Sequence, residues 1–257
     1  MLGAAAAQVR CNLMTQASPD DAPFALNPHA AVETHRIGHE GEPVLVLDGV
    51  MRRPQALVDY AATEVLFEPS ARYRSGYPGL LGPAPLNYVG DLVGALRPLI
   101  EDAFGLEAVT PARAQCNFSL VTLRPEELSL EQRLPHVDRV DPLQFAILHF
   151  LCDEGFGGTG FYRHRATGFE SLTAERDSPH REALARELAD APPPAAYVTG
   201  DTALYARTAV FEAKFDRVIV YRSRVFHSGQ IRPGDPLSAD PRQGRLTSNI
   251  FLNFRPV

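Results

Sequence analysis

The residues best placed to do chemistry are His136 and Asp138, two positions apart in LPHVDRVDPLQFAILHFL (residues 134–151). In a β-strand, side chains at positions i and i+2 point to the same side of the sheet. An imidazole and a carboxylate side by side could therefore hold one divalent ion. The pair alone is weak evidence, because 8 histidines and 31 acidic residues in 257 positions supply about one His-x-acid pair by chance.

A second pair of this kind, His180 and Glu182, lies in SPHREALARELADA. The segment 179–190 is predicted to be a helix, where residues i and i+2 do not share a face. We therefore do not expect a metal site at this pair, and we expect the chemistry to depend on what else the fold places around His136.

A further ligand has to come from another strand. A facial triad of two histidines and one carboxylate leaves three coordination positions for substrate and oxygen. His227, in VFHSGQI, follows the apolar segment RVIVY and is the best placed of the remaining histidines. His149 and His164 are predicted not to be ligands, because they lie among apolar or arginine-rich neighbours without a paired acid. The alternative for His227 is a partly buried histidine satisfied by the backbone.

Arg245 opens the last predicted strand, GRLTSNIFLNF (residues 244–254), in a run otherwise almost free of charge. Residues 245, 247, 249 and 251 would share one face of that strand. If the face is interior, Arg245 is a buried cation that needs an anionic partner, and a guanidinium fits a carboxylate with two hydrogen bonds. Thr247 could add a hydroxyl to the same oxygens. The alternative is a strand-end arginine that extends into water.

These residues need a scaffold, and the second half of the chain has the pattern of one. From residue 116 onward, short segments rich in Val, Ile, Phe and Tyr predict eight strands, interrupted by the helix over 179–190. We predict a mainly β protein with flanking helices, built as a double-stranded β-helix, a cupin-like jelly roll. The expected organisation is an N-terminal arm over 1–42, a helical support region over 43–115 and the β-helix core over 116–257.

The support region is predicted to contain a strand over 43–50, a helix over 53–66, a loop over 69–86 and a helix over 87–106. Pro98 is expected to kink or break the second helix, since proline removes a backbone hydrogen bond and clashes with the preceding turn. The loop 69–86 is rich in Pro and Gly. Together with residues 166–178 it is expected to form a lid.

Composition limits the classes of function. The net charge of −6, with no basic run of five residues, argues against a nucleic-acid-binding surface. No stretch approaches the 18 or so apolar residues that a membrane span needs. Three distant cysteines predict neither a disulfide framework nor a zinc knot, and the start of the sequence has no secretion-signal pattern. We therefore expect a cytoplasmic protein.

In their order along the chain, these motifs resemble the iron(II)- and 2-oxoglutarate-dependent dioxygenases, and within them the prolyl-hydroxylase-like branch. The similar features are His136-Val137-Asp138, Gly157-Gly158 opening a middle strand, His227 in VFHSG, and Arg245 at the head of the final strand. The segment PVLVLDGVMRRPQALVDYA is similar to the strand and helix that precede such cores. The resemblance covers roughly residues 43–257.

The resemblance implies that His136, Asp138 and His227 bind Fe(II). It implies oxidative decarboxylation of 2-oxoglutarate to succinate and carbon dioxide, coupled to hydroxylation of a C–H bond, with ascorbate as a candidate reductant. Halogenases of this superfamily lack the carboxylate ligand, so the presence of Asp138 favours hydroxylation.

It also implies that Arg245, assisted by Thr247, binds the distal carboxylate of 2-oxoglutarate. The family often adds a tyrosine or asparagine from the first core strand. That strand here reads CNFSLVTL and has no tyrosine, so Asn117 or Ser119 is expected to take this place.

The expected substrate is a small molecule or a peptide. Candidate residues for binding an acidic group on it are Arg139, Arg163, Arg165, Arg222 and Arg224. The alternative is that these arginines lie solvated on outer faces, because alternate strand positions point outward. Two other functions stay open: a cupin-like metal-binding module with non-oxidative chemistry, which would not need Arg245, and a non-catalytic jelly roll that binds a ligand or partner.

Overall fold

The computed structural model describes residues 22–257 and, before them, only the backbone of strand β1 (Ala7–Gln8). The other strands are β2 (Ala31–Ile37), β3 (Glu42–Asp48), β4 (Glu68–Pro69), β5 (Gly79–Pro83), β6 (Val109–Val121), β7 (Gln144–Phe150), β8 (Thr159–His164), β9 (Tyr205–Phe211), β10 (Arg217–Arg222), β11 (His227–Gly229) and β12 (Leu246–Pro256). The helices are α1 (Gln55–Thr63), α2 (Leu86–Phe104) and α3 (Ala174–Asp190).

The strands form two antiparallel sheets. The larger has nine strands in the order β1-β2-β3-β10-β7-β12-β6-β5-β4, and the smaller has three in the order β11-β8-β9. A single bridge between His136 and His227 adds the segment around His136 to the free edge of β11. The described protein is thus mainly β with flanking helices, as predicted, in a jelly-roll-like arrangement. None of the described helices has the length and apolar character that crossing a membrane requires.

The nine-stranded sheet is covered on both faces, which explains why β3 reads as a continuous apolar run. Leu45 and Leu47 point to one face, where they pack with residues of α1 and α2 such as Leu92. Val44 and Val46 point to the other face and pack in the apolar layer between the two sheets. This inter-sheet layer closes one side of the cavity described below.

Helix α2 differs from its prediction at Pro98. The helix continues through this residue instead of breaking there. Leu92, Leu96 and Ile100 lie on both sides of the proline and are fully buried in the core beneath the sheet. Because tertiary packing of an apolar face supplies most helix stability, it outweighs the local cost of one proline.

Two segments predicted to be irregular contain strands. Within the expected arm, β2 pairs along its whole length with β3. Within the expected loop 69–86, β5 pairs with β6, which itself begins at Val109 and not at residue 116. β2 forms a hairpin with the next strand, and β5 pairs with β6 across helix α2; local composition revealed neither pairing. The rest of the arm before residue 22 lies outside the described residues, and the proposed boundaries at 42 and 115 stay predictions.

A buried polar group lies on the helix side of the nine-stranded sheet. The Nε2 atom of His149 is 3.0 Å from Oδ1 of Asp216, and its Nδ1 atom is 2.9 Å from the hydroxyl of Tyr88 on α2. Asp216 also accepts the backbone N–H of Met51 at 3.0 Å, and it has a left-handed conformation with φ of 63°. One carboxylate thus joins β7, β10 and the segment that leads into α1.

We expect Asp216→Ala to lower the free energy of unfolding by about 3–5 kcal/mol, because it leaves Nε2 of His149 and the Met51 amide without a partner. Alanine also disfavours a positive φ. Asp216→Asn keeps an acceptor oxygen and tolerates the left-handed region, so its loss should be smaller, about 1–2 kcal/mol. Urea unfolding followed by circular dichroism measures both. A loss below about 1 kcal/mol for Asp216→Ala would contradict the structural role.

Candidate metal and anion site

His136, Asp138 and His227 come together at one end of the space between the sheets. One ligand atom from each lies within 4.8 Å of the others. The Nε2 atom of His136 is 3.8 Å from Oδ1 of Asp138, and the Nε2 atom of His227 is 3.6 Å from Oδ2 of Asp138. These separations are too long for hydrogen bonds. Among the described residues, this is the one group of three or more His, Cys, Asp or Glu side chains that could hold a metal ion.

The segment that carries His136 and Asp138 is not a strand, in contrast to the prediction for LPHVD. His136 exchanges two backbone hydrogen bonds with His227, each 2.9 Å long, and pairing ends there. The backbone N–H of Asp138 instead donates to the carbonyl of Ser223 at 2.8 Å. The bridge at His136 and the hydrogen bond from Asp138 to Ser223 hold this segment, and both side chains line the cavity without a regular strand.

His227 is held in one orientation. Its Nδ1 atom lies 2.9 Å from the carbonyl oxygen of Val225, so Nδ1 carries the proton that donates to this oxygen. The Nε2 lone pair therefore faces Asp138. The ring also packs at an angle against Tyr221, with centroids 4.8 Å apart. A backbone carbonyl that fixes the tautomer in this way is typical of metal-binding histidines.

The electrostatics of the three residues suit a divalent cation. Burial raises the pKa of Asp138 to about 6, and burial lowers the pKa of His227 to about 4. His136 exposes 55% of its side chain, but the edge that faces the other two residues is desolvated and close to His227, which lowers its pKa to about 4. At neutral pH the site therefore holds two neutral imidazoles and one carboxylate, the forms that bind metals.

Oδ2 of Asp138 is buried and has no hydrogen-bond partner among the described residues. Buried carboxylate oxygens are normally hydrogen-bonded or paired with a cation. A metal ion held by the two Nε2 atoms and Asp138 would satisfy this oxygen. The donor set of the structure therefore fits a divalent metal.

The same cavity continues from these ligands to Arg245. Its volume is about 120 Å³, and its walls include Tyr77, Tyr221, Thr247 and Phe251 as well as the three ligands. A cavity of this size suits a small molecule, and it connects the metal-ligand group with a buried cation.

Arg245 is only 5% exposed. Its Nη2 atom donates to the carbonyl of Gly158 at 2.9 Å, and its guanidinium lies 5.6 Å from the ring centre of Phe150. Its Nε atom has no hydrogen-bond partner, and no acidic side chain of the described residues pairs with it. A buried, unpaired guanidinium is costly unless an anion binds to it.

Gly158 has to be glycine at this position. A Cβ atom there would collide with the carbonyl of Phe211 on β9, so only glycine lets its own carbonyl lie beside Arg245. The Gly157-Gly158 stretch noted in the sequence thus positions the carbonyl that holds the arginine.

Thr247 lies next to Arg245 on the cavity wall and is fully buried. Its hydroxyl is 2.9 Å from the hydroxyl of Ser119, which also accepts the side-chain amide of Asn249 at 2.5 Å. Asn117, one of the two residues expected from the first core strand, is not part of the wall. It pairs with Asn249 across β6 and β12, one step further along the strands. Ser119 thus contacts the site through Thr247.

Tyr77 is the site residue that the sequence did not reveal. It belongs to the loop 69–86, yet its hydroxyl is buried in the cavity without a hydrogen-bond partner. Burial raises its pKa, and the charge of Arg245 opposes the rise. The pairing of β5 with β6 brings Tyr77 here. No spacing in the sequence signals that contact.

The other histidines lie outside the group. His149 points to the opposite face of its sheet, and His164 is 2.8 Å from Oε2 of Glu187. Both therefore have a paired acid, so the reason given for excluding them as ligands is wrong. His180, on α3, lies 3.1 Å from the hydroxyl of Tyr205.

Most of the arginines considered for substrate binding have acidic partners. The pairs are Arg163 with Glu170, Arg165 with Asp201, and Arg222 and Arg224 with Glu42. Of the five, Arg139 is exposed and its side chain forms no ion pair or hydrogen bond with the described residues. The other four arginines therefore form ion pairs within the protein.

We expect divalent-metal affinity to depend on pH through Asp138. The metal competes with protons, so acid that protonates this carboxylate weakens binding. With a pKa of about 6 for Asp138, the apparent dissociation constant of Mn²⁺ should be constant above pH 7. It should be about tenfold higher at pH 5. Calorimetric titration of Mn²⁺ at several pH values measures this, and an affinity that is unchanged at pH 5 would contradict the assignment.

Comparison with known proteins shows the family but little about activity. An N-substituted L-amino acid dioxygenase from Burkholderia ambifaria AMMD matches with 12% identity and a TM-score of 0.39, over 83% of each chain. A structure of such a dioxygenase in complex with alpha-KG, also from that organism, matches with 10% identity and a TM-score of 0.33, over 84% of this chain and 82% of that one.

EvdMO1 matches with 16% identity and a TM-score of 0.36, over 88% of this chain and 56% of the other. TM-scores this low do not establish a common fold. No curated protein matches the chain. One family model matches residues 28–252, and the chain therefore belongs to that family, described as a family of unknown function, DUF6445.

Proposed function

We propose that this protein is an iron(II)- and 2-oxoglutarate-dependent oxygenase with a double-stranded β-helix core of the prolyl-hydroxylase-like type. One observation carries the proposal: a single cavity holds a His-Asp-His group and, on its wall, a buried guanidinium without an acidic partner. A divalent metal ion would bind to the first group, and one carboxylate of a small dicarboxylate would pair with the second.

The metal half of the proposal rests on the donor atoms. His136 and His227 supply imidazole nitrogens and Asp138 supplies a carboxylate oxygen, which is the set that leaves coordination positions open on Fe(II). When bound, the iron would supply the oxygen activation and redox change that protein side chains cannot. The chain's own part is to present neutral imidazoles and an ionised carboxylate at neutral pH.

The cosubstrate half rests on the atoms without partners. Nε of Arg245 and the hydroxyl of Tyr77 are both buried, and both are free to donate to an anion. A dicarboxylate with one end near the metal ligands would place its other carboxylate against these donors, with Thr247 beside them. A fixed guanidinium replaces the water that such an anion loses on entering the cavity. In this proposal Tyr77 takes the place expected for Asn117.

The apolar wall has a separate role. Phe150 lies under Arg245, and Tyr221 packs against His227. Apolar surface of Tyr221, Ile147 and Phe251 lines the space between the metal ligands and the arginine, and it limits the access of bulk water to this space. Excluding water strengthens each charge interaction in the cavity and limits side reactions.

The substrate is proposed to be a small molecule or a peptide. His136 is the most exposed of the three ligands, with 55% of its side chain accessible, and we propose that the substrate approaches from its side. Arg139, one residue after Asp138, is the remaining arginine that could meet an acidic group on the substrate. Hydroxylation of a C–H bond is the proposed reaction.

The test is succinate formation from 2-oxoglutarate by the protein supplied with Fe(II), with and without ascorbate. We expect succinate above the level of a reaction without protein, even without substrate, through slow uncoupled turnover. A cupin-like metal-binding module would bind Mn²⁺ but not 2-oxoglutarate, and a non-catalytic jelly roll would bind neither. The free guanidinium of Arg245 favours the oxygenase over both.

A further inference from the structure

The turn between β10 and β11 touches two of the three proposed ligands. It closes with a hydrogen bond of 3.1 Å from the backbone N–H of Val225 to the carbonyl of Arg222. The carbonyl of Ser223 accepts the backbone N–H of Asp138, and the carbonyl of Val225 accepts Nδ1–H of His227. Any shift of this turn therefore moves a carboxylate and an imidazole of the site together.

Glu42, the first residue of β3, holds this turn. Its Oε2 atom is 2.9 Å from Nη1 of Arg222, and its Oε1 atom is 2.6 Å from Nη2 of Arg224. The Glu42 side chain is 9% exposed, and the arginines are 15% and 22% exposed. Arg222 also donates to the carbonyl of Phe104, the last residue of α2. The carboxylate of Glu42 thus ties both sides of the turn to β3, and Arg222 ties the turn to the end of α2.

Three largely buried charges contribute little net stability to a turn, since each of them loses hydration free energy on burial. The Nε atoms of Arg222 and Arg224 are buried without a partner, so the group is not even fully satisfied. The arrangement does fix the conformation of the turn. The two oxygens of the Glu42 carboxylate bind Arg222 and Arg224, and so set the distance between these two guanidinium groups. The carbonyls of the turn are oriented as a result.

We propose that Glu42, together with Arg222 and Arg224, is a positioning group for the metal site. It fixes the β10–β11 turn so that the turn's carbonyls hold Asp138 and the Nδ1–H tautomer of His227. The part of this inference that concerns metal affinity rests on the proposed function. The part that concerns His227 does not.

The chain contains a matched control at the other end of the same strands. Asp48, the last residue of β3, pairs with Arg217 at 2.6 Å and with Lys214 at 2.9 Å. It is also one carboxylate between two cations across β3 and β10. It lies at the opposite end of the seven-residue strand from Glu42, a distance of about 20 Å. Loss of this group affects the same sheet without touching the β10–β11 turn.

The experiment compares Glu42→Gln with Asp48→Asn in the full chain. In metal-free protein, ¹⁵N NMR of the histidine rings reports whether Nδ1 of His227 keeps its proton. Calorimetric titration with Mn²⁺ then gives the dissociation constant. We expect Glu42→Gln to mix the His227 tautomers and raise the dissociation constant about 10- to 100-fold, as for other lost partners of metal ligands. Asp48→Asn should leave the tautomer unchanged and the constant within about twofold. Melting temperatures show that both variants are folded.

If Glu42→Gln does not fold, Arg224→Gln takes its place, since it keeps the pair between Glu42 and Arg222. It should raise the dissociation constant in the same direction, by at least about threefold. An unchanged His227 tautomer in the folded variant overturns the inference, as does an equal loss of metal affinity in Asp48→Asn. If the wild-type protein binds no Mn²⁺, the proposed metal site is wrong, and the tautomer comparison alone decides the positioning role.

Discussion

His136→Ala is expected to abolish Fe(II)-dependent succinate formation and to weaken Mn²⁺ binding by more than about 100-fold. The reason is the loss of one of only three protein donors, which exceeds the 10- to 100-fold typical when a partner of a metal ligand is removed. His136 exposes 55% of its side chain, so its removal leaves little buried surface unpacked. The melting temperature of the metal-free variant should therefore stay close to that of the wild type.

His180→Ala provides the opposite profile. His180 is 6% exposed and packs against Phe226, with ring centroids 4.8 Å apart, but it is not in the metal-ligand group. This variant should lose stability through the cavity it leaves, while Mn²⁺ affinity and succinate formation persist below its melting temperature. Calorimetric titration and thermal unfolding of both variants give the comparison. Retained metal affinity in His136→Ala would contradict the site.

Arg245→Ala is expected to weaken 2-oxoglutarate binding while leaving Mn²⁺ affinity within about twofold of the wild type. Loss of a charged contact with several donors costs about 2–4 kcal/mol, or roughly 30- to 1000-fold in affinity. The guanidinium does not contact the three ligands, since its hydrogen bond goes to Gly158. The effect should therefore appear in the cosubstrate requirement and not in metal retention.

Arg245→Lys should recover only part of the affinity, because an ammonium cannot reproduce the planar fork of a guanidinium. Titration of 2-oxoglutarate into Mn²⁺-loaded wild type and both variants measures the three constants. An unchanged affinity in Arg245→Ala would mean that the cosubstrate binds elsewhere or that this cavity does not use one. Arg245→Ala should also cost the ligand-free protein little stability. The loss should not greatly exceed the contribution from packing of the side chain, because the buried guanidinium has no anionic partner.

The sequence by itself determined the features that depend on near neighbours. The spacing of His136 and Asp138 put both side chains on one side of an extended segment, and the structure keeps them there even though no strand forms. Likewise, the i, i+2 spacing of Arg245 and Thr247 predicted that both face the same way, and both line the cavity although β12 begins only at Leu246. The apolar segment 43–50 predicted a strand, which the structure has as β3 (Glu42–Asp48). Alternation and run length are properties of consecutive residues, so they can be read without knowing the fold.

The tertiary structure alone decided which distant residues meet. Tyr77 reaches the cavity because β5 pairs with β6, and Pro98 is tolerated because α2 packs on the sheet. The arginines at 222 and 224 looked free to bind substrate until the fold placed Glu42 between them. His149 likewise gained its acid from Asp216, 67 residues away. Such contacts depend on the order of strands in the sheets. Residues that meet because of this strand order, such as an ion pair or a hydroxyl in a cavity, do not produce a periodic pattern in the sequence.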